Sequence, residues 1–248
     1  MYDIAIIASS LPDRRASFER SLHTWSQMIN SSPLNVALRI YSEGWDASEV
    51  VRRHNIPDWR VECDDFSGSQ VKGQNYWFER TLAKQYLFTH SEILLPTSTL
   101  NAVRNYATPN IFVAFKMYWI PKEMTESLDN YPWQTPELLE NYPELFDRDS
   151  QQHGPYYLNR LTRQQKTVES NTTWAMDMSP LENIMPWPDL GTQGWNDPFF
   201  AGLRQRLGIH NFTVKEPICY HAWHTTTWDK DTNKAVQLAS QELNKRGI

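Results

Sequence analysis

The residues best suited to chemistry fall near the two ends of the chain. Towards the C-terminus, Gly194-Trp195-Asn196-Asp197-Pro198 leads into Phe199-Phe200-Ala201-Gly202-Leu203-Arg204. Proline at a first helical position makes Asp197 an N-cap. A carboxylate fixed at a helix start behind a Gly-Trp turn is also placed to take a proton from an alcohol, and the two roles are compatible. His221 and His224 flank Ala222-Trp223 just past an apolar stretch. Two neutral imidazoles three residues apart can ligate a metal where the chain turns, although such a pair without a third ligand is as readily structural. Near the N-terminus, Ser9-Ser10-Leu11-Pro12-Asp13-Arg14-Arg15 follows an apolar run. Arg14 or Arg15 can grip a diphosphate through the planar guanidinium fork, and a solvated arginine at a helix start explains the same residues equally well. Tyr41-Ser42-Glu43-Gly44-Trp45-Asp46 closes a second apolar run. There the Glu43 carboxylate can accept a hydrogen bond from a base or ribose, or simply belong to a turn.

The elements that must position these residues alternate. Residues 2–10 read as a buried strand. Phe18, Leu22, Trp25 and Met28, spaced by three and four, predict a helix behind it. Val36 to Tyr41 and Trp59 to Cys63 read as strands, Tyr76 to Thr89 as a helix, Glu92 to Leu95 as a short fourth strand, and Ile111 to Ile120 as another. Residues 121–165 are rich in Pro, Tyr, Asn, Asp and Gln and hold no long periodic segment, the mark of a lid or binding segment. Thr172 to Met178 and Thr213 to His221 read as strands, and Phe199 to Leu207 and Thr232 to Lys245 as helices. Strands alternating with helices imply an α/β fold on a mainly parallel sheet, whose ligands sit at the carboxyl ends of the strands.

Bulk composition narrows the classes. A chain of 248 residues with 40% hydrophobic and 21% charged residues is globular and fits one domain. A net charge of -5 gives no electrostatic reason for tight nucleic-acid binding. Two cysteines cannot make a disulfide framework. No segment reaches the length of a membrane-spanning helix and the N-terminus lacks signal-peptide character, so the expected location is cytoplasmic. Gly-x-Gly-x-x-Gly and Gly-Lys-Ser/Thr phosphate loops are both missing, which leaves dinucleotide-binding and P-loop readings unsupported. The 11 tryptophans, with 11 tyrosines and 10 phenylalanines, supply flat apolar faces for a core or for stacking on sugar rings.

The order of parts resembles family 2 glycosyltransferases, which have the GT-A fold. Ile4-Ala5-Ile6-Ile7-Ala8-Ser9-Ser10 with Arg14 and a helix is similar to the family's opening. Leu38 to Gly44 resembles its second strand, and Arg80-Thr81-Leu82-Ala83 leading into Ile93-Leu94-Leu95 the approach to its metal motif. Gly191 to Asp197 with the Leu203-Arg204 helix resembles its glycine-tryptophan segment and acidic pair, and Cys219 to His224 its late histidine motif. The resemblance implies a single GT-A-like domain over 1–248, with 1–110 as the nucleotide-sugar-binding half and 111–248 as the acceptor half. It implies a donor, such as a UDP-sugar, contacted by Ser9, Arg14, Glu43, Arg80, Thr97 and Ser98. Asp197 would be the base of an inverting transfer to an acceptor hydroxyl, on a glycan or a modified nucleic acid. Trp195 and Trp223 would face that acceptor, Trp119 and Trp133 would close over it with 121–165, and His221 and His224 would meet the diphosphate or a Mn or Mg ion. Two departures stand out. The family's fourth strand runs into Asp-x-Asp, and the corresponding place here reads Leu95-Pro96-Thr97-Ser98, with no carboxylate; the acidic pair reads Asn196-Asp197. Arginines and histidines acting without metal, Asp64 or Asp65 as substitutes, and a non-catalytic glycan- or nucleotide-binding module are then all open.

Overall fold

The computed structural model describes residues 1–66, 70–145, 173–182, 184–189, 196–224 and 232–248, leaving aside the side chains of 196–198 and 232–235. Strand β1 (Tyr2–Ser10) alternates its side chains between two cores. Ile4, Ile6 and Ala8 face one, and Ala5 and Ile7 face the other. A short 3-10 turn, Pro12–Arg14, with proline at its start, feeds helix α1 (Arg15–Ser31). Helix α1 buries Phe18, Leu22, Trp25 and Met28 as their spacing predicts.

Strands β2 (Val36–Ser42) and β3 (Val61–Asp65) follow, separated by the short helix α2 (Ser48–Arg52). The expected helix over Tyr76 to Thr89 is corrected. Helix α3 (Gln70–Arg80) ends before Thr81, and Ala83–His90 is strand β4. Leu87 and Phe88 of β4 are buried in opposite cores because β4 lies deep in the sheet, where each pleat face meets apolar partners. Residues Ile93–Leu94 form only a two-residue strand, β5. Helix α4 (Thr99–Tyr106) and strand β6 (Ile111–Ile120) come next. Of the segment expected to be irregular, the described part holds helix α5 (Lys122–Glu126) and 3-10 turns at Leu128–Asn130, Pro136–Asn141 and Pro143–Leu145. It packs Leu128, Leu139 and Leu145 on Leu94, Ile120, Ile218 and Tyr220. Strand β7 (Trp174–Met176), helix α6 (Asn196–Arg206), strand β8 (His210–Ala222) and helix α7 (Thr232–Lys245) complete the order.

The sheet runs β3-β2-β1-β4-β7-β6-β8-β5. The pairs β1–β2, β1–β4, β2–β3 and β6–β8 are parallel. Strand β7 is antiparallel to both neighbours and β5 is antiparallel to β8. Helices α1 and α4 pack in the core on one face. Residues of α3, α6 and α7 share the core on the other. The carboxyl ends of β1 to β4 therefore share one edge, bringing Ser10, Ser42, Asp65 and His90 to the same side. The ladder between β6 and β8 skips register at Phe115/Met117, next to Pro217, which cannot donate to it.

Gly73 is the position where α3 touches the sheet. A Cβ there would lie 2.5 Å from Tyr41 Cγ and 2.6 Å from its Cβ. Those atoms are the fixed end of a buried side chain. Gly73→Ala gains up to about 1 kcal/mol of helix propensity. Overpacking costs about 1–3 kcal/mol, so the variant is expected to unfold at lower urea than the parent. A midpoint at or above the parent's would show that α3 can shift freely.

Candidate functional site

The site is built where β4 leaves the sheet. After Phe88 the chain reads Thr89-His90-Ser91-Glu92 before entering β5. Glu92 is 2% exposed, and its backbone carbonyl accepts from Ala222 N at 2.9 Å. The antiparallel pairing of Ile93 with His221 brings the end of β8 alongside it. Four side chains then converge on this carboxylate. Arg14 Nη1 donates to Glu92 Oε1 at 2.8 Å, and Ser91 Oγ donates to Oε2 at 3.0 Å. His224 Nε2 and His221 Nε2 lie 3.3 Å and 3.6 Å from Oε1. His90 closes the far side, its Nδ1 2.7 Å from Ser9 Oγ. Trp119 stacks on His221 with ring centroids 3.7 Å apart.

The electrostatics are set by burial and by one cation. Burial alone would raise the Glu92 carboxyl, but the Arg14 guanidinium, the hydrogen bond from His224 and the nearby His221 and His90 hold it well below the usual carboxylate range. Burial pushes the His90 imidazole down to about 4 and that of His221 to about 3 from an ordinary 6.5, against the pull of Glu92. Above those values both rings are neutral and present lone pairs. Among the described residues, Glu92, His221 and His224 form a group whose ligand atoms all lie within 4.8 Å of one another. His221 Nδ1 is buried without a hydrogen-bond partner. An ionised carboxylate with two imidazoles suits a divalent transition ion such as Mn²⁺ better than Mg²⁺, which favours oxygen alone.

Neutral buried histidines also make stability depend on pH. The unfolded chain takes up these protons below about 6.5, and the folded chain does so only near 4 and 3. Stability is therefore complete above about pH 6.5 and falls as pH drops from there, by up to about 1.4 kcal/mol per pH unit for each histidine. Urea unfolding between pH 7 and 5 is expected to show this slope, and His90→Asn to flatten it. A stability independent of pH over that range would contradict the buried neutral state.

The sequence-predicted residues divide by edge. Ser9, Arg14, Glu43, His221, His224 and Trp223 belong to the carboxyl edge or to the end of β8 that abuts it. Glu43 is buried, donates its backbone N–H to Ser10 O, and helps burial raise the Tyr41 hydroxyl. Trp223 N donates to Thr125 Oγ1 at 2.9 Å, and Lys122 Nζ sits 5.2 Å over its ring. Arg80 ends α3 just before β4 begins, near the strand end opposite His90, and lies over Tyr76 and beside Glu79. Thr97 and Ser98 follow β5, which runs away from His221, and Thr97 donates to Glu137 Oε1 through its N and Oγ1. Asp197 falls in the first turn of α6 instead of before it; its side chain, and Trp195 altogether, lie outside the described residues. Sequence reasoning missed Glu92, Ser91 and His90. The available signal was the polar run Thr89 to Glu92 splitting two apolar ones, Tyr86-Leu87-Phe88 and Ile93-Leu94-Leu95.

No family profile matches the sequence, and no curated protein is similar to it. Solved structures do match. A mannosyltransferase from Pyrobaculum calidifontis, in complex with GDP-Man and Mn²⁺, superposes with a TM-score of 0.60 at 15% identity, over 99% of this chain and 64% of that one. TarS of S. aureus gives 0.62 at 12% identity, over 98% of this chain and 40% of that one. The fold is GT-A. Glucosyl-3-phosphoglycerate synthase from Mycobacterium tuberculosis, in complex with Mn²⁺, UDP and glucosyl-3-phosphoglycerate, adds a TM-score of 0.55 at 14% identity, over all of this chain and 81% of that one. This GT-A chain thus spans less than two thirds of the mannosyltransferase and of TarS. No described helix is long and apolar enough to cross a membrane.

Proposed function

We propose that the chain is a glycosyltransferase that moves a sugar from a nucleotide-sugar donor to an acceptor hydroxyl. The observation that carries this reading is the Glu92, His221 and His224 cluster at the carboxyl edge of a GT-A sheet, with Arg14 beside it. In that reading His90-Ser91-Glu92, directly after β4, takes the place of the family's Asp-x-Asp, with Glu92 as its surviving acid. The solved neighbours carry GDP-Man, UDP or, for a TarS fragment, UDP-GlcNAc. A UDP-sugar is the first donor to test.

Glu92, His221 and His224 would hold Mn²⁺, whose charge would neutralise the diphosphate of the donor. Glu43 and the Ser9-to-Arg14 loop would bind the nucleotide. Trp223, Trp195 and the Trp119 and Trp133 side would face the acceptor, a glycan or a modified nucleic acid. Asp197, in the first turn of α6, would take the proton of the attacking hydroxyl, so that attack comes from the face opposite the leaving diphosphate and inverts the anomeric carbon.

The second reading is a nucleotide- or glycan-binding module without catalysis, favoured by His90 standing where an acid is usual. Release of the nucleoside diphosphate from a panel of donors, with glycan acceptors and Mn²⁺, separates the two. Release that scales with protein and is lost in D197N supports transfer. Donor binding without any release across the panel supports the module.

A further inference from the structure

The arrangement around Glu92 contains a conflict. Oε1, the oxygen nearest both imidazole nitrogens, is already taken by Arg14 Nη1 at 2.8 Å, while Oε2 accepts from Ser91. A divalent cation held by Glu92, His221 and His224 must use an oxygen of the same carboxylate, and two positive groups on one carboxylate repel. Arg14 is 7% exposed and its Nε is buried without a partner, so the guanidinium is held mainly by this one ion pair. If the cation displaced it with nothing in exchange, a buried unpaired charge would remain, which is strongly unfavourable. The adjacent loop also carries Ser10, whose buried Oγ has no partner. Arg14 is the last residue of the 3-10 turn and the N-cap of α1 (φ −110°, ψ 18°), so its side chain leaves the chain where the β1 loop turns into the helix.

We propose that Arg14 is a displaceable counter-charge: it occupies Glu92 until a divalent cation takes that oxygen, and it then turns to the phosphates of the nucleotide. This deepens, and rests on, the nucleotide-sugar reading. The consequence is obligatory coupling. Cation alone binds weakly because Arg14 must be expelled without a new partner. Nucleoside diphosphate alone binds weakly because Arg14 is engaged with Glu92. Each ligand relieves the penalty on the other, and by linkage both affinities rise by the same factor.

The test is titration with Mn²⁺ alone, followed by electron paramagnetic resonance of the free ion, and again with UDP or GDP after correction for Mn²⁺ bound by free nucleotide. The proteins are the full chain and its R14Q and R14K variants, with folding checked by circular dichroism. R14Q is expected to bind Mn²⁺ alone about tenfold more tightly than the parent and to lose most of the nucleotide coupling, a typical size for such linkage. Its melting temperature should also rise more on adding Mn²⁺ than the parent's. R14K, which keeps a charge, is expected to stay close to the parent in Mn²⁺ affinity. Equal Mn²⁺ affinity in R14Q and the parent, with coupling intact, overturns the proposal. Should R14Q fail to fold, the parent decides: independent binding of Mn²⁺ and nucleotide overturns the proposal, and mutual tightening supports it. If no protein binds UDP or GDP, the nucleotide reading falls, while tighter Mn²⁺ binding by R14Q would still support the counter-charge role.

Discussion

Glu92→Gln is expected to destabilise the protein by about 3–5 kcal/mol, the usual cost of removing one partner from a buried ion pair. The amide keeps the shape of the carboxylate but not its charge, so the loss reports electrostatics and not packing. Arg14 is left with a buried positive charge whose neighbours, His90 and His221, are neutral and cannot replace the anion. Denaturant unfolding near pH 7.5 measures the effect. The double variant E92Q/R14Q should recover most of the loss, because removing both charges leaves nothing uncompensated, and the cycle isolates the pair. A loss under about 1 kcal/mol, as for surface pairs, would contradict a buried Arg14–Glu92 contact. The same substitution should abolish Mn²⁺ binding.

Asp197→Asn is the second large effect. The substitution would remove the proposed proton acceptor while keeping a polar residue of the same size in the first turn of α6. Turnover with a competent donor and acceptor is expected to fall by about 10²–10⁴-fold, the usual contribution of a positioned base. Donor affinity and thermal stability should be close to the parent's, because the proposed nucleotide contacts, Glu43 and the β1 loop, do not include Asp197. A fall in stability with unchanged turnover would instead assign Asp197 a purely structural role.

Much of the scaffold was legible from apolar spacing. β1, α1, β2, β6 and α7 all form where periodicity placed them, because each buries a long apolar run or stripe. The failure at Tyr76 to Thr89 had a physical origin. No glycine or proline separates α3 from β4, so a helical pattern and a strand buried on both faces from Tyr86 to Thr89 merge into one apparent element. With residues 92–95 read as the fourth strand, the place for an acid falls at Leu95 instead of at His90, where β4 ends. The carboxylate proposed for that place is Glu92, in the polar step between β4 and β5. Its partners could not be read from spacing either. Arg14 and His221 lie 78 and 129 positions from Glu92 by the numbering, and only the β1–β4 and β5–β8 pairings bring them together.

Whether this cluster holds a divalent cation for a nucleotide-sugar is decided by calorimetric titration of the full chain with UDP- and GDP-sugars, with and without Mn²⁺. Binding of at least one donor in Mn²⁺ is expected, with much weaker binding without the ion and none in E92Q. Failure of every donor to bind, with or without the ion, or donor binding that is indifferent to both Mn²⁺ and the Glu92 charge, would contradict it.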